Sequence, residues 1–156
     1  MDISLRPSTP EDIDWLVELR SRVLRADLER LGRYDEIRVR ERMRQSFRPE
    51  WTRVISVSGA DVGCITTRPD GPVRWIEHFY IEPELQGRGV GGAVLGKVIG
   101  EAFSGDTRLN VLQGSAARRL YERHGFVTGS EDDVDVYMTH QSAAPTRERG
   151  ASFAAN

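Results

Sequence analysis

The chain opens on an alternation of apolar and polar residues from Asp2 to Arg6, with Ile3 and Leu5 two apart, which predicts a short strand with one buried face. The period then changes. Thr9-Pro10-Glu11-Asp12 reads as a helix start, with Thr9 as cap, proline at the first helical position and carboxylates in the first turn. Ile13, Leu16, Val17, Val23, Leu24, Leu28 and Leu31 recur at helical spacing up to Gly32. Val39, Met43 and Phe47 then repeat every four residues before Pro49. Two helices are therefore expected between the first strand and the next.

Arg53 to Ser58 and Val62 to Arg68 are β-rich runs joined by Gly59-Ala60-Asp61, and Pro69-Asp70-Gly71-Pro72 leads into a third run from Val73 to Glu82. An antiparallel meander is the simplest arrangement of the three. Val90, Val94, Leu95, Val98, Ile99, Ala102 and Phe103 mark one face of a further helix, with Gly105 and Asp106 as its exit. Leu109 and Val111 restart a strand. Ser115 to His124 reads as a helix with Gly125 at its left-handed stop and Phe126 placed to fold back onto the last turn. Val134, Val136 and Met138 alternate as a closing strand. The order is strand, two helices, three strands, helix, strand, helix and two strands. It predicts an α/β fold, with a mixed, mostly antiparallel central sheet of about six or seven strands flanked by about four helices. One domain spans residues 1–140, and 141–156, rich in Ala, Ser, Arg and Pro without a period, is expected to be an unstructured tail.

Composition narrows the classes. With 156 residues, 38% of them hydrophobic and 29% charged, the chain can bury one core of ordinary size. A formal net charge of −2 offers nothing global to a nucleic acid. The single cysteine, Cys64, cannot close an intramolecular disulfide and sits in a predicted strand, where it reads as a small buried hydrophobe. No 18-residue apolar run occurs and Asp2 stands where a basic leader would begin, so a cytoplasmic protein that does not enter a membrane is expected. Arg20, Arg22, Arg25, Arg30, Arg33, Arg38, Arg40, Arg42 and Arg44 crowd the two first helices among acidic residues and read as a solvated face.

The chemistry concentrates at Gln86-Gly87-Arg88-Gly89-Val90-Gly91-Gly92, between a predicted strand and a predicted helix. Glycines allow a tight turn and close backbone approach, and the first turn of the helix points unpaired N–H groups at an anion such as a pyrophosphate. The segment lacks the Gly-x-Gly-x-x-Gly spacing and lies past mid-chain behind a meander, which disfavours a dinucleotide site.

Trp75 to Leu85 together with this turn resembles the acetyl-CoA-binding signature of the GNAT N-acetyltransferases, Gln/Arg-x-x-Gly-x-Gly/Ala, with Gln86, Gly89 and Gly91 at its three defining positions. Leu109 to Phe126 resembles that family's later motif, a strand followed by Asn-x-x-Ala-x-x-Leu-Tyr-x-x-x-Gly-Phe. Ala117, Leu120, Tyr121, Gly125 and Phe126 are in place and Ser115 is read in place of the Asn. The resemblance covers residues 2 to 139 and implies a GNAT fold using acetyl-CoA as co-substrate without a metal.

It also implies roles for individual residues. The main chain of Phe79 and Ile81 would hold the pantetheine, residues 86–92 the diphosphate with the Arg88 guanidinium beside it, and Ser115 the pantetheine arm or the tyrosine. Tyr121 would protonate the departing thiolate. Neighbours on a strand face opposite ways, so of Glu77 and His78 only one looks into the acceptor side. Glu77, placed on the face of Phe79 and Ile81, is the preferred base, with His78 or a water as rivals. Tyr34, Asp35 and Glu36 are candidates for recognising the amine of a small molecule or peptide. Direct transfer is expected because Cys64 lies outside both motifs. A non-catalytic acyl-CoA sensor, a protein N-terminal or lysine acetyltransferase, and pairing of two copies through the last strands are the readings that stay open.

Overall fold

A computed structural model describes residues 1–142; the expected tail lies outside the described residues from 143 onward. Seven strands form one sheet: β1 (Ile3–Pro7), β2 (Thr52–Val57), β3 (Ala60–Asp70), β4 (Val73–Ile81), β5 (Thr107–Leu112), β6 (Val127–Glu131) and β7 (Asp135–His140). Four α-helices join them: α1 (Ile13–Arg30), α2 (Glu36–Ser46), α3 (Val90–Ile99) and α4 (Ala117–Arg123). The strands lie in the order β1-β2-β3-β4-β5-β7-β6, and only β4 and β5 run parallel. Element order and fold class agree with the reading from the hydrophobic pattern.

The two faces of the sheet are covered differently. Leu16, Leu19 and Met43 of α1 and α2 close over Cys64 and Tyr80, while Val90, Val94, Leu95 and Val98 of α3 pack with Ile65, Ile76 and Ile81 on the other face. Cys64 is the buried hydrophobe expected; burial pushes its thiol up to about 12, and Sγ donates to the His78 carbonyl at 3.1 Å.

Local deviations from the sequence reading have local causes. Asp12 organises the start of α1: its carboxylate accepts from Thr9 N–H at 2.9 Å and Trp15 Nε1 at 2.9 Å, and the Arg6 guanidinium beside it holds its carboxyl down to about 2. Helix α3 stops at Ile99 rather than reaching Phe103, whose ring instead lies under the Arg74 guanidinium at 4.8 Å. The β2–β3 turn is tighter than expected, because Ser58 and Gly59 both take positive φ and β3 already begins at Ala60.

Two irregularities in β4 shape the centre of the molecule. Its pairing with β5 covers only Arg74↔Thr107 and Trp75↔Arg108, after which the two strands diverge. Its register against β3 also slips: Cys64 pairs with Tyr80 but Thr66 pairs with Glu77, so one residue too many lies on β4, and His78 there has φ 46°.

Candidate active site

The divergence of β4 from β5 opens a cleft of about 1230 Å³. It runs from the turn at Gln86, Gly87 and Gly89 past Phe79 and Ile81 to Leu112, Tyr121 and the α2 residue Ser46. Beyond Trp75 the β5-facing main-chain groups of β4 have no strand partner and are open to water or a ligand in the cleft.

At one end of the cleft lies the glycine turn between β4 and α3. Gly87 and Gly89 have φ of 77° and 86°, and a Cβ on either would have open space around it. No side chain caps α3, and its first backbone bond runs from Ala93 N–H to the Gly89 carbonyl. The earlier amides, including those of Val90, Gly91 and Gly92, are therefore available to an anion, with the helix dipole behind them. A Cβ on Gly91 would come within 3.2 Å of Leu120 Cδ2, so glycine there also lets α3 and α4 close together.

The side chains of this segment serve differently from its backbone. Gln86 donates through Nε2 to the Ile81 carbonyl at 3.0 Å and so ties the turn to the end of β4. Val90 is buried in the core and can offer a ligand only its N–H. Arg88 is exposed and lies outside the residues lining the cleft. Counted back from Ala117, the Asn position of the later motif falls on Gly114, with φ 76°, so Ser115 stands one residue past it. Ser115 Oγ accepts from Ala117 N–H at 3.2 Å and so supports the start of α4.

Tyr121 stands midway along the cleft, with ring contacts to Phe79 at 6.4 Å and Phe126 at 5.7 Å. Phe126 folds back after Gly125, whose φ is 90°, and its N–H bonds the Tyr121 carbonyl at 3.1 Å. Among the described residues the Tyr121 hydroxyl has no hydrogen-bond partner. No buried side-chain oxygen among the described residues is left unpartnered, so that hydroxyl opens onto the cleft. Burial pushes its pKa upward, which keeps the phenol protonated and able to donate.

The bulge corrects the face assigned to Glu77. Cys64 and Thr66 lie on one face of β3, and their partners Tyr80 and Glu77 therefore share a face; Glu77 does not share one with Phe79 and Ile81. It lines the cleft, but both its oxygens are taken by Arg68, at 3.0 and 3.1 Å.

His78 has both ring nitrogens engaged. Arg20 Nε donates to the Tyr80 hydroxyl at 2.9 Å, Tyr80 lies 3.0 Å from His78 Nδ1, and His78 Nε2 lies 2.7 Å from Ser46 Oγ. Ser46 Oγ donates its one proton to the Arg42 carbonyl at 2.6 Å. Every donor is then satisfied if Tyr80 donates to Nδ1 and Nε2–H donates to Ser46. A second proton on the ring would have to displace the Tyr80 hydroxyl, and burial with the nearby Arg20 charge pushes the imidazole down to about 4.

In the unfolded chain the ring titrates near 6.5, so between these values the unfolded state binds the extra proton. Stability should fall by about 2 kcal/mol as the pH drops from 6.5 toward 4. Urea unfolding at pH 7 and pH 4.5 checks this, because a His78→Gln variant should lose that part of the pH dependence.

Of the acceptor candidates, Asp35 accepts from Ile37 N–H and Arg38 N–H and caps α2. The Tyr34 hydroxyl meets Ser21 Oγ at 2.9 Å beneath the Arg25 guanidinium, which fixes the α1–α2 loop, and Glu36 lies outside the cleft lining. Sequence reading missed Ser46 and Tyr80; their link through His78 depends on a bulge that strand alternation gives no sign of.

No curated protein matches the chain. A family model described as an acetyltransferase (GNAT) domain matches residues 50–128. Among solved structures the fold is similar to an N-acetyltransferase of Thermoplasma acidophilum in complex with coenzyme A, at TM-score 0.72 and 19% identity, covering 90% of this chain and 99% of that one. It is also similar to a histone acetyltransferase HPA2-related protein of Corynebacterium glutamicum, at TM-score 0.73 and 21% identity over 94% and 99% of the two chains. A third is the ribosomal-protein-S18-alanine N-acetyltransferase of Escherichia coli, at 0.69 and 16% over 90% and 94%.

Proposed function

The chain belongs to the GNAT acetyltransferase family, and on that premise we propose that it transfers acetyl from acetyl-CoA directly to an amine of a small molecule or peptide. The observation that carries the proposal is the cleft between β4 and β5. It joins an uncapped helix start to a buried tyrosine whose hydroxyl opens onto the cleft, a geometry suited to a long ligand with a diphosphate at one end and a thioester at the other.

Acetyl-CoA supplies the thioester carbonyl that the amine attacks. The amides of Gly89 to Gly92 hold the diphosphate, and the main chain of Phe79 and Ile81 holds the pantetheine where β4 lacks a ladder partner. Tyr121 donates its proton to the leaving thiolate. The base is a water at the acceptor end, because Arg68 occupies Glu77 and the Ser46–His78–Tyr80 chain occupies the imidazole. His78 positions α2 against the bulge. Attack is direct, since the buried Cys64 thiol with its raised pKa is no nucleophile.

The test is release of free thiol from acetyl-CoA in the presence of a panel of amines. Amine-dependent release is the expected result. Tight binding of acetyl-CoA with no release from any amine would instead favour an acyl-CoA sensor.

A further inference from the structure

The hydrogen bonds around the β4 bulge run in one direction only. Arg20 Nε donates to the Tyr80 hydroxyl at 2.9 Å, and a guanidinium has donors alone, so the hydroxyl accepts there and sends its own proton elsewhere. The partner left for that proton is His78 Nδ1, at 3.0 Å. With Nδ1 accepting, the ring proton sits on Nε2 and points at Ser46 Oγ, 2.7 Å away. Ser46 gives its proton to the Arg42 carbonyl at 2.6 Å, one turn back along α2. The reverse order fails at Tyr80. Its buried hydroxyl would accept from both Arg20 and His78, and among the described residues its own proton would go unpaired.

The consequence falls on Ser46, which is exposed and lines the cleft. A hydroxyl has one proton and two lone pairs. The proton is committed to the Arg42 carbonyl and one lone pair to His78, so Ser46 Oγ meets a ligand only as an acceptor. Its place in the cleft suits the incoming amine. His78 precedes Phe79 on β4, farther from the glycine turn, and the Phe79 ring contacts Tyr121. Ser46 therefore stands past the phenol, beyond the stretch assigned to the pantetheine.

The nucleophile of the proposed transfer is a neutral amine, with N–H groups to donate and one lone pair that must point at the thioester carbon. A hydroxyl free to turn would donate to that lone pair and quench it. An oxygen whose proton is held by a carbonyl engages an N–H instead and leaves the lone pair for attack.

We infer that Ser46 Oγ accepts a hydrogen bond from the attacking amine and orients it, with the polarity of the hydroxyl fixed by the chain from Arg20 through Tyr80 and His78. The inference rests on the proposed acetyl transfer and names a substrate-orienting residue of that site. On attack the C–N bond forms and the C–S bond breaks. The thiolate takes the Tyr121 proton, the nitrogen releases its surplus proton to the water at that end, and solvent returns one to Tyr121. Ser46 keeps its hydrogen throughout.

The experiment follows thiol release from acetyl-CoA with benzylamine, spermidine, glucosamine and a peptide bearing a free N-terminus. Ser46→Val and Ser46→Thr share a shape and differ in the oxygen. For the probe that the wild type uses best, Ser46→Val should raise KM about tenfold, the loss of one hydrogen bond, with kcat and the KM for acetyl-CoA little changed. Ser46→Thr should stay within about twofold of the wild type, because the acceptor is kept. Nitrogen NMR of the imidazoles gives a reading that a merely structural serine would not require: His78 should carry its proton on Nε2, with Nδ1 bare. An amine KM unmoved in Ser46→Val, a Ser46→Thr as impaired as Ser46→Val, or a His78 protonated on Nδ1 each overturns the inference and leaves acetyl transfer standing. If no probe releases thiol from the wild type, the transfer reading and this inference fall together.

Discussion

Replacing Tyr121 by phenylalanine is expected to lower kcat by about a hundredfold, the contribution of one well-placed proton donor, and to leave the affinity for acetyl-CoA unchanged. The ring stays between Phe79 and Phe126, so packing is kept and only the hydroxyl is lost. Since that hydroxyl has no protein partner among the described residues, its removal leaves no orphaned group behind, and stability should barely move. Steady-state kinetics with the best amine and calorimetry with acetyl-CoA separate the two effects. An unchanged kcat removes Tyr121 from the chemistry. A fall in both kcat and cofactor affinity makes it a binding residue instead.

Gly63→Ala should destabilise the fold by about 3 kcal/mol, the upper part of the range for overpacking a tight interior. A Cβ at Gly63 would stand 2.3 Å from the Tyr80 carbonyl oxygen, 3.2 Å from Ile81 Cα and 3.3 Å from Ile55 Cδ1. The first two contacts are backbone, so β3 and β4 must separate next to the bulge rather than repack a side chain. The φ of Gly63 is not positive, so the cause is space and not backbone conformation. Because the displaced strand is the one that lines the cleft, acetyl-CoA affinity should weaken alongside the urea midpoint. A midpoint equal to that of the wild type would contradict the close packing of these two strands.

The elements themselves were legible because each buries a periodic face. Leu16 and Met43 mark the helices over one side of the sheet, and Val94 and Leu95 mark the helix over the other. The glycine turn was legible for a second reason: a run that must turn with φ of 77° and 86° at Gly87 and Gly89 leaves few residue types to choose from. What alternation misplaced was the face of Glu77, which lies with Tyr80 and not with Phe79 and Ile81. One extra residue in β4 reverses the facing of everything before it, and His78, a residue that tolerates positive φ, carries no pattern that announces the bulge.

The arginine run is largely exposed, as its spacing predicts, but its partners were not legible. Read along the chain it is a solvated face, whereas in three dimensions six of its members are tied to partners on α1, α2, β4 and the nearby loops. Partner choice across 60 residues of separation, as between Arg22 and Glu82, is not a property of local spacing.

The account stands on the ladder-free edge of β4 and the open amides of α3 receiving coenzyme A. Its most direct test is a crystal of the protein grown with acetyl-CoA. The expected density has the diphosphate against the amides of residues 89–92, the pantetheine along Phe79 and Ile81, and the sulfur beside the Tyr121 hydroxyl. Acetyl-CoA bound anywhere else on the molecule, or a β4–β5 cleft that stays empty at saturating ligand, would contradict it.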